Sequence, residues 1–291
     1  MATTLTRREK ILFAIDTDGA GLEIGPSYQP ILPKSEGYRI QTLDTCSQAE
    51  LIAKFANDPI DPSRIEPVDY IWQGESLTQT VGQCHCFDFI IASHVIEHTP
   101  DLIRFFQDID NLLTPNGVLS LVIPDKRYCF DHFRPLTGLA RVVDAYENRA
   151  HIHSPGTAAE HFIYYVTADG RHGWNSDARP HLCLNHSIED TRQLIRQIRD
   201  TGKYFDLHAW CFTPASFAFL VSSLTELDFI RLHILSSFPT TGFEFFVSMS
   251  RTPPPIQHDR IAMMTAMHRE ERDLSGLLRR TLRRFLPWKR R

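Results

Sequence analysis

The chain has no uninterrupted run of eighteen apolar residues, so the sequence offers no membrane span. Met1 to Lys10 is polar and lacks the apolar centre of a secretory leader, so export is not expected. Cysteine is sparse. The six residues Cys46, Cys84, Cys86, Cys129, Cys183 and Cys211 are scattered, several within apolar segments, which suits a reducing cytoplasm better than a disulfide framework. A general basic face is also missing. The net charge is -4, and seven basic residues lie between Arg279 and Arg291 with no acidic one, which leaves -11 on the rest. An acidic body argues against nucleic-acid binding. Finally, no G-x-G-x-x-G stands after an apolar strand, so a pyrophosphate-binding dinucleotide turn is not expected.

What is present is ordinary in bulk and specific in pattern. At 291 residues, with 42% hydrophobic and 23% charged, the chain is long enough for one large α/β domain with insertions or for two small ones. Residues 5–15 read as a short lead-in helix. Gly21–Gly25, Tyr38–Asp44 and Val68–Gln73 read as strands, and Ser47–Phe55 as a helix with Leu51, Ile52 and Phe55 on one stripe. Phe87–Ser93 (FDFIIAS) is almost continuously apolar, the mark of a strand covered on both faces. Thr99–Leu113 predicts an amphipathic helix capped by Thr99 with Pro100 at its first position, and Asn116-Gly117 turns it into a buried strand at Val118–Ile123.

Strands alternating with helices imply a Rossmann-like α/β fold. Its sheet is mostly parallel, with helices on both faces and a ligand crevice at the strand carboxyl ends. Residues 126–205 hold seven of the fourteen histidines without clear strand periodicity, and predict a mostly helical insertion over that crevice. Thr213-Pro214 opens a helix to Leu224. Phe229–Leu235 and Phe243–Met249, separated by Pro239-Thr240-Thr241-Gly242, predict an antiparallel edge hairpin. The domain is expected to span 1–255, with 256–291 as a basic amphipathic tail.

Leu22-Glu23-Ile24-Gly25-Pro26-Ser27, followed by Asp44 at the close of the second strand, has the plan of a nucleoside-binding crossover. The glycine admits the ligand, and the later carboxylate accepts ribose hydroxyls. Glu23 at the turn disfavours a pyrophosphate and favours a ligand carrying an ammonium and a sulfonium, which points to S-adenosyl-L-methionine. Glu23, Gly25, Asp44, Gly74, Ser93 and Asp125 all fall at or just past expected strand ends.

The segments GLEIGPSYQPILPKSEG, VDYIWQGESL, FDFIIASHVIEHTPD, LLTPNGVLSLVIPDKRYCFDHFRP and HAWCFTPASF, with the strand ending at Asp44, carry a resemblance. Over roughly residues 20–135 and 205–250 the chain resembles class I S-adenosylmethionine-dependent methyltransferases of the type 11 and 23 kind. The resemblance implies a seven-stranded sheet with one antiparallel strand. It implies that Glu23 and Gly25 lie near the methionine part of the cofactor, that Pro26 and Ser27 form the turn, and that Asp44 holds the ribose. Gln73 stands where many relatives carry an acid that meets the adenine amino group, and its carbonyl can accept the same bond. Gly74, Glu75 and Ser76 would border adenine, and Ser93 and His94 would close over the sulfonium. A small-molecule or saccharide methyl acceptor is implied, the saccharide from resemblance to enzymes linked with surface-glycan assembly.

For chemistry, His94 is the first candidate base, with a packing role as the alternative. His98 reads as structural and Glu97 as a carboxylate at a helix N-terminus. Asp125, Arg127, Tyr128 and Arg134 follow a buried strand and are expected to line the substrate pocket, with Asp125 catalytic. Their alternative is an ion-pair network that anchors the insertion. His208 is a further catalytic candidate, and Trp210 a stacking surface or a core residue. Cys84-His85-Cys86, His181-x-Cys183-x-x-His186 and His151-x-His153 have ligand types without clean metal spacing, so no metal is expected. Two alternatives stay open, a non-catalytic cofactor-binding protein and a metal-dependent hydrolase using the insertion. Leu274, Leu277, Leu278, Leu282, Phe285 and Leu286 form a stripe beside arginines, which suits an anionic inner-membrane surface, docking on the acidic body or on a dimer mate, or a solvated, frayed tail.

Overall fold

The computed structural model describes residues 5–253 apart from 176 and 179, and residues 259–285, with side chains as far as 272. Strands β1 (Gly21–Ile24), β2 (Ile40–Asp44), β3 (Tyr70–Ile71), β4 (Phe87–Ser93) and β5 (Leu113–Pro124) pair in parallel in the order β3-β2-β1-β4-β5. In the insertion, β6 (Val166–Ala168) and β7 (Leu182–Leu184) make a separate antiparallel ribbon. Beyond β5 the main sheet continues through β9 (Glu244–Ser250), which is antiparallel to both neighbours, to the edge strand β8 (His233–Thr241). The seven-stranded Rossmann-like sheet with one edge hairpin is as expected.

Alternation explains the two-sided core. In β4, Ile90 and Ala92 join a large cluster with Leu22, Leu121, Phe106 and Phe217. Phe89 and Ile91 face the opposite layer, with Ile11, Leu32, Val122 and Phe246. Period-two side chains placed between two apolar layers account for the apolar run Phe89–Ala92, with Asp88 the one exposed residue near its start.

Helices α1 (Arg7–Ile11), α2 (Gln48–Lys54) and α3 (Leu77–Val81) begin at the capping boxes Thr6/Glu9, Ser47/Glu50 and Ser76/Gln79. The expected helix start at Thr99 is corrected. Helix α4 is Leu102–Leu112, capped by Asp101, whose carboxylate accepts the Arg104 N–H at 2.9 Å. Thr99 instead donates its hydroxyl hydrogen to the Ile96 carbonyl. Residues 94–101 therefore remain a loop with a 3-10 turn at Ile96–His98, and that loop walls the site. Helix α4 also runs straight into β5, so Asn116-Gly117 lies within a strand whose pairing with β4 shifts register between Phe87 and Phe89.

The insertion contains α5 (Leu139–Glu147), α6 (Pro155–Tyr164) and α7 (Ile188–Thr201), but these helices make up less than half of residues 126–205; the expected mostly helical insertion is corrected to three helices, the short strands β6 and β7 and much irregular chain. Helix α8 (Pro214–Glu226) starts at the Thr213/Ser216 capping box. Helix α9 (Arg260–Phe285) packs on α8. Its Glu270 carboxylate accepts the Ala215 N–H at 3.0 Å, and Arg260 lies 3.4 Å from Glu226. The side chains of the expected stripe from Leu274 onward lie outside the described residues. Among the described residues no helix is long and apolar enough to cross a membrane.

Candidate active site

A cavity of about 670 Å³ opens at the carboxyl ends of β1, β2 and β4, within the size range of small-molecule sites. Gly25 follows β1 with φ +64° and donates its N–H to the Leu43 carbonyl at 2.8 Å. A Cβ there would lie 3.2 Å from Val95 Cγ2, so both conformation and space call for glycine. Ser27 follows at φ +49°. Asp44 closes β2, buried but for its cavity face, and accepts the Thr45 N–H at 2.7 Å. Burial pushes its pKa up, with the Thr45 and Ser27 N–H groups opposing. Trp72 and Leu77 supply an apolar wall. The indole N–H donates to the Glu75 carbonyl at 2.6 Å, and the Leu77 N–H donates to Asp108 at 2.9 Å. Arg149, His151 and Tyr204 of the insertion, and Asp206 just past it, also line the cavity.

Of the residues expected around the cofactor, Gly25, Ser27, Asp44, Gly74, Glu75, Ser76 and His94 line this cavity. Glu23 does not. Its carboxylate is 1% exposed and accepts the Ile31 N–H at 2.8 Å and the Leu32 N–H at 3.3 Å, so it buckles the loop after β1. Burial raises its pKa to about 7 in spite of those bonds. Pro26 is buried beside the cavity, and Gln73 is exposed with its N–H donated to Glu75. Ser93 accepts from Arg7 at 3.1 Å. None of the three lines the cavity.

The expected substrate group is placed elsewhere as well. Asp125 is fully buried, pairs with Arg127 at 2.6 Å and accepts the Thr240 hydroxyl at 2.6 Å. Arg134 is 1% exposed and bonds Asp131 at 2.7 Å. Trp210 is 2% exposed and donates to the Thr99 carbonyl at 2.6 Å. Neither these four nor Tyr128 lines the cavity. Ionisable residues after β5 thus form the anchoring network, because a buried charge is tolerated only when paired.

The histidines form a layered arrangement. His94, at φ +55°, places Nε2 2.9 Å from Glu244 and Nδ1 3.5 Å from Glu97. Burial opposes protonation, but the two carboxylates raise its pKa to about 9, so at neutral pH it is an imidazolium and not the proton acceptor expected. His98, expected to be structural, lines the cavity with its Nδ1 2.7 Å from Asp206. His208 sits behind it, with ring centroids 4.5 Å apart, and its Nδ1 lies 2.5 Å from Asp131. The cavity-facing role of His98 was missed because HVIEHTPD reads as the first turn of a helix. Only Asp101, two residues past Thr99 and followed by an amphipathic stripe, signals the later start.

The residues present fit S-adenosyl-L-methionine. There is a carboxylate at the end of β2, a close-approach glycine at the end of β1, and an apolar wall for a purine at Trp72 and Leu77. A search of curated proteins finds no match. Among solved structures, a Methanosarcina mazei protein described as a SAM-dependent methyltransferase aligns at 14% identity and TM-score 0.44, over 87% of this chain and 100% of that one. The CcbJ methyltransferase of Streptomyces caelestis aligns at 12% and 0.42, over 84% and 94%. A Rhodobacter sphaeroides protein bearing a zinc-dependent alcohol dehydrogenase name aligns at 14% and 0.47, over 86% and 91%. At that distance the structures add nothing to the assignment. The family model described as "Methyltransferase domain" matches residues 4–178, more than half of the chain. The chain belongs to this methyltransferase domain family, and its cofactor is S-adenosyl-L-methionine.

Proposed function

We propose that the chain methylates an oxygen or nitrogen of a small molecule or saccharide, with residues 126–205 closing over the acceptor. The observation that carries this reading is a single cavity lined both by Gly25, Ser27 and Asp44 at the strand ends and by Arg149, His151, Tyr204 and Asp206 of the insertion and its exit. The cofactor supplies an electrophilic methyl group on a sulfonium. In this reading Asp44 accepts the ribose hydroxyls, Gly25 and Ser27 shape the turn along the methionine part, and Gly74, Glu75 and Ser76 border the base. His94 is a fixed cation braced by Glu244, and it orients the loop after β4. His98, Tyr204 and Asp206 form the wall toward the acceptor. Polar groups on the insertion suit a hydrophilic acceptor, since they are desolvated only against matching groups. Holding donor and acceptor in line in such a cavity supplies much of the rate enhancement.

The test has two arms. Calorimetric titration with S-adenosylhomocysteine reports the donor site, and absence of binding ends the proposal. Transfer of labelled methyl to a panel of glycans and hydroxylated or aminated metabolites reports the acceptor class. Binding without transfer to any of them would favour the non-catalytic alternative.

A further inference from the structure

Glu97 is fully buried in the loop after β4, and neither of its carboxylate oxygens accepts a hydrogen bond. Such a group is expensive to bury unless a cation meets it. His94 does this only in part, because its Nε2 is committed to Glu244 and its Nδ1 stands 3.5 Å away. His98 Nε2 faces the same carboxylate at 4.0 Å. His208 arrives from the segment before α8, so that one ligand atom from each of Glu97, His98 and His208 lies within 4.8 Å of the others.

The backing of the two imidazoles is the second observation. Asp206 stands 2.7 Å from His98 Nδ1. Asp131 stands 2.5 Å from His208 Nδ1 and is itself bonded by Arg134 at 2.7 Å. At His208 the hydrogen-bonded carboxylate fixes the tautomer that leaves the other nitrogen's lone pair for a metal, whereas at His98 Asp206 is a neighbouring charge without a hydrogen bond to Nδ1. We propose that Glu97, His98 and His208 bind a divalent transition-metal ion of the zinc class. Two imidazoles disfavour magnesium and calcium, which take oxygen ligands. Zinc bonds of about 2.0–2.2 Å put tetrahedral neighbours roughly 3.4 Å apart, so the Glu97–His98 gap closes by about half an ångström on binding.

Three protein ligands leave one position open, and His98 is shared with the cavity wall. Resting on the methyl-transfer reading, that position takes the acceptor's oxygen. An ion held there would lower the pKa of the bound hydroxyl, whose proton passes to water; the oxygen's electron pair then forms the new O–CH3 bond as the CH3–S bond breaks, its pair returning to sulfur to release S-adenosylhomocysteine.

The test uses the full chain, stripped with a chelator and titrated with zinc against a chromophoric competitor. One tightly bound equivalent is expected. Glu97→Gln, equal in volume, should weaken it at least ~100-fold, and Asp131→Asn, which removes the backing of His208, ~10–100-fold. Cys183→Ser should change nothing, although Cys183 Sγ lies 3.3 Å from His181 and offers the main competing pair. Cobalt(II) in the unmodified chain should give intense visible bands without thiolate charge transfer, a readout independent of how the variants fold. No stoichiometric zinc, a thiolate band, or unchanged affinity in Glu97→Gln overturns the site. Binding of S-adenosylhomocysteine to the zinc-free chain keeps the two readings apart. If it persists while zinc fails, only the metal site falls. If zinc binds and the nucleoside does not, the site stands and the acceptor role falls with the methyl-transfer reading.

Discussion

Replacing Asp44 with alanine isolates the donor half of the site. The carboxylate is 9% exposed, ends β2 and is oriented by the Thr45 N–H at 2.7 Å. In the proposed reading, two ribose hydroxyls donating to it would make charge-assisted bonds worth about 1.5–3 kcal/mol each. Losing the pair removes about 3 kcal/mol at the low end, which weakens S-adenosylhomocysteine by roughly two powers of ten. The fold should barely register the change. Asp44 forms no ion pair among the described residues, and burial already pushes its pKa up, so its charge is no asset to the folded state. Against that stand the Thr45 and Ser27 N–H groups that lose their acceptor, about 1 kcal/mol each at most. Asp44→Asn keeps one acceptor oxygen and should lose about half the binding energy, roughly tenfold in affinity. Calorimetry with S-adenosylhomocysteine and urea unfolding on the same preparations read both quantities. An alanine variant binding within about threefold of the unmodified chain, less than 1 kcal/mol, would refute the placement. Equal losses of affinity and stability would show that Asp44 serves the fold.

Gly25→Ala forces an L side chain into φ +64° at about 1–2 kcal/mol and brings its Cβ to 3.2 Å from Val95, so the unfolding midpoint and cofactor affinity should fall together; unchanged values would mean the turn relaxes freely. Glu23 makes stability depend on pH: its folded pKa of about 7 stands above the ordinary 4.5, so its contribution is complete below about 4.5 and is lost as pH rises through 7. The span of about 2.5 pH units corresponds to about 3 kcal/mol, and Glu23→Gln should flatten that slope in urea unfolding across the window; an identical slope would count against the buried buckle. Asp110 accepts from Arg231 at 2.7 Å and Arg251 at 2.6 Å, so Asp110→Ala should remove about 2–3 kcal/mol of stability while leaving S-adenosylhomocysteine affinity intact, and a selective loss of affinity would contradict its structural role.

Much of the frame was legible because the signals were local. FDFIIAS could be nothing but a strand covered twice, and Ser47 and Thr213 announced their helices through side chains that cap them. Gly25 and Asp44 were legible as cavity residues because a turn glycine and a strand-end carboxylate are each defined by their own backbone position. The polar residues were harder. Glu23 and Asp125 have the identities of ligand contacts, but burial without a cavity face turned one into a loop buckle and the other into an ion-pair anchor. His98 and His208 meet only through the fold, with Asp131 and Asp206 arriving from either end of the insertion. Spacing rules that compare near neighbours in the chain have no access to such a group.

The reversal of β9 has a consequence for how this edge of the protein tolerates change. In the parallel strands, the residues that begin a strand lie on the face opposite the cavity. Because β9 runs the other way, its first residue, Glu244, is paired with Pro124 at the carboxyl end of β5 and reaches both His94 and Arg7. The hairpin turn at Gly242 and Phe243 is thus on the working edge of the sheet, with the Phe243 ring 5.8 Å from His94. Lengthening a loop that enters a parallel strand would build onto the quiet side of the molecule, whereas lengthening the β8–β9 turn would build onto the rim of the reaction chamber.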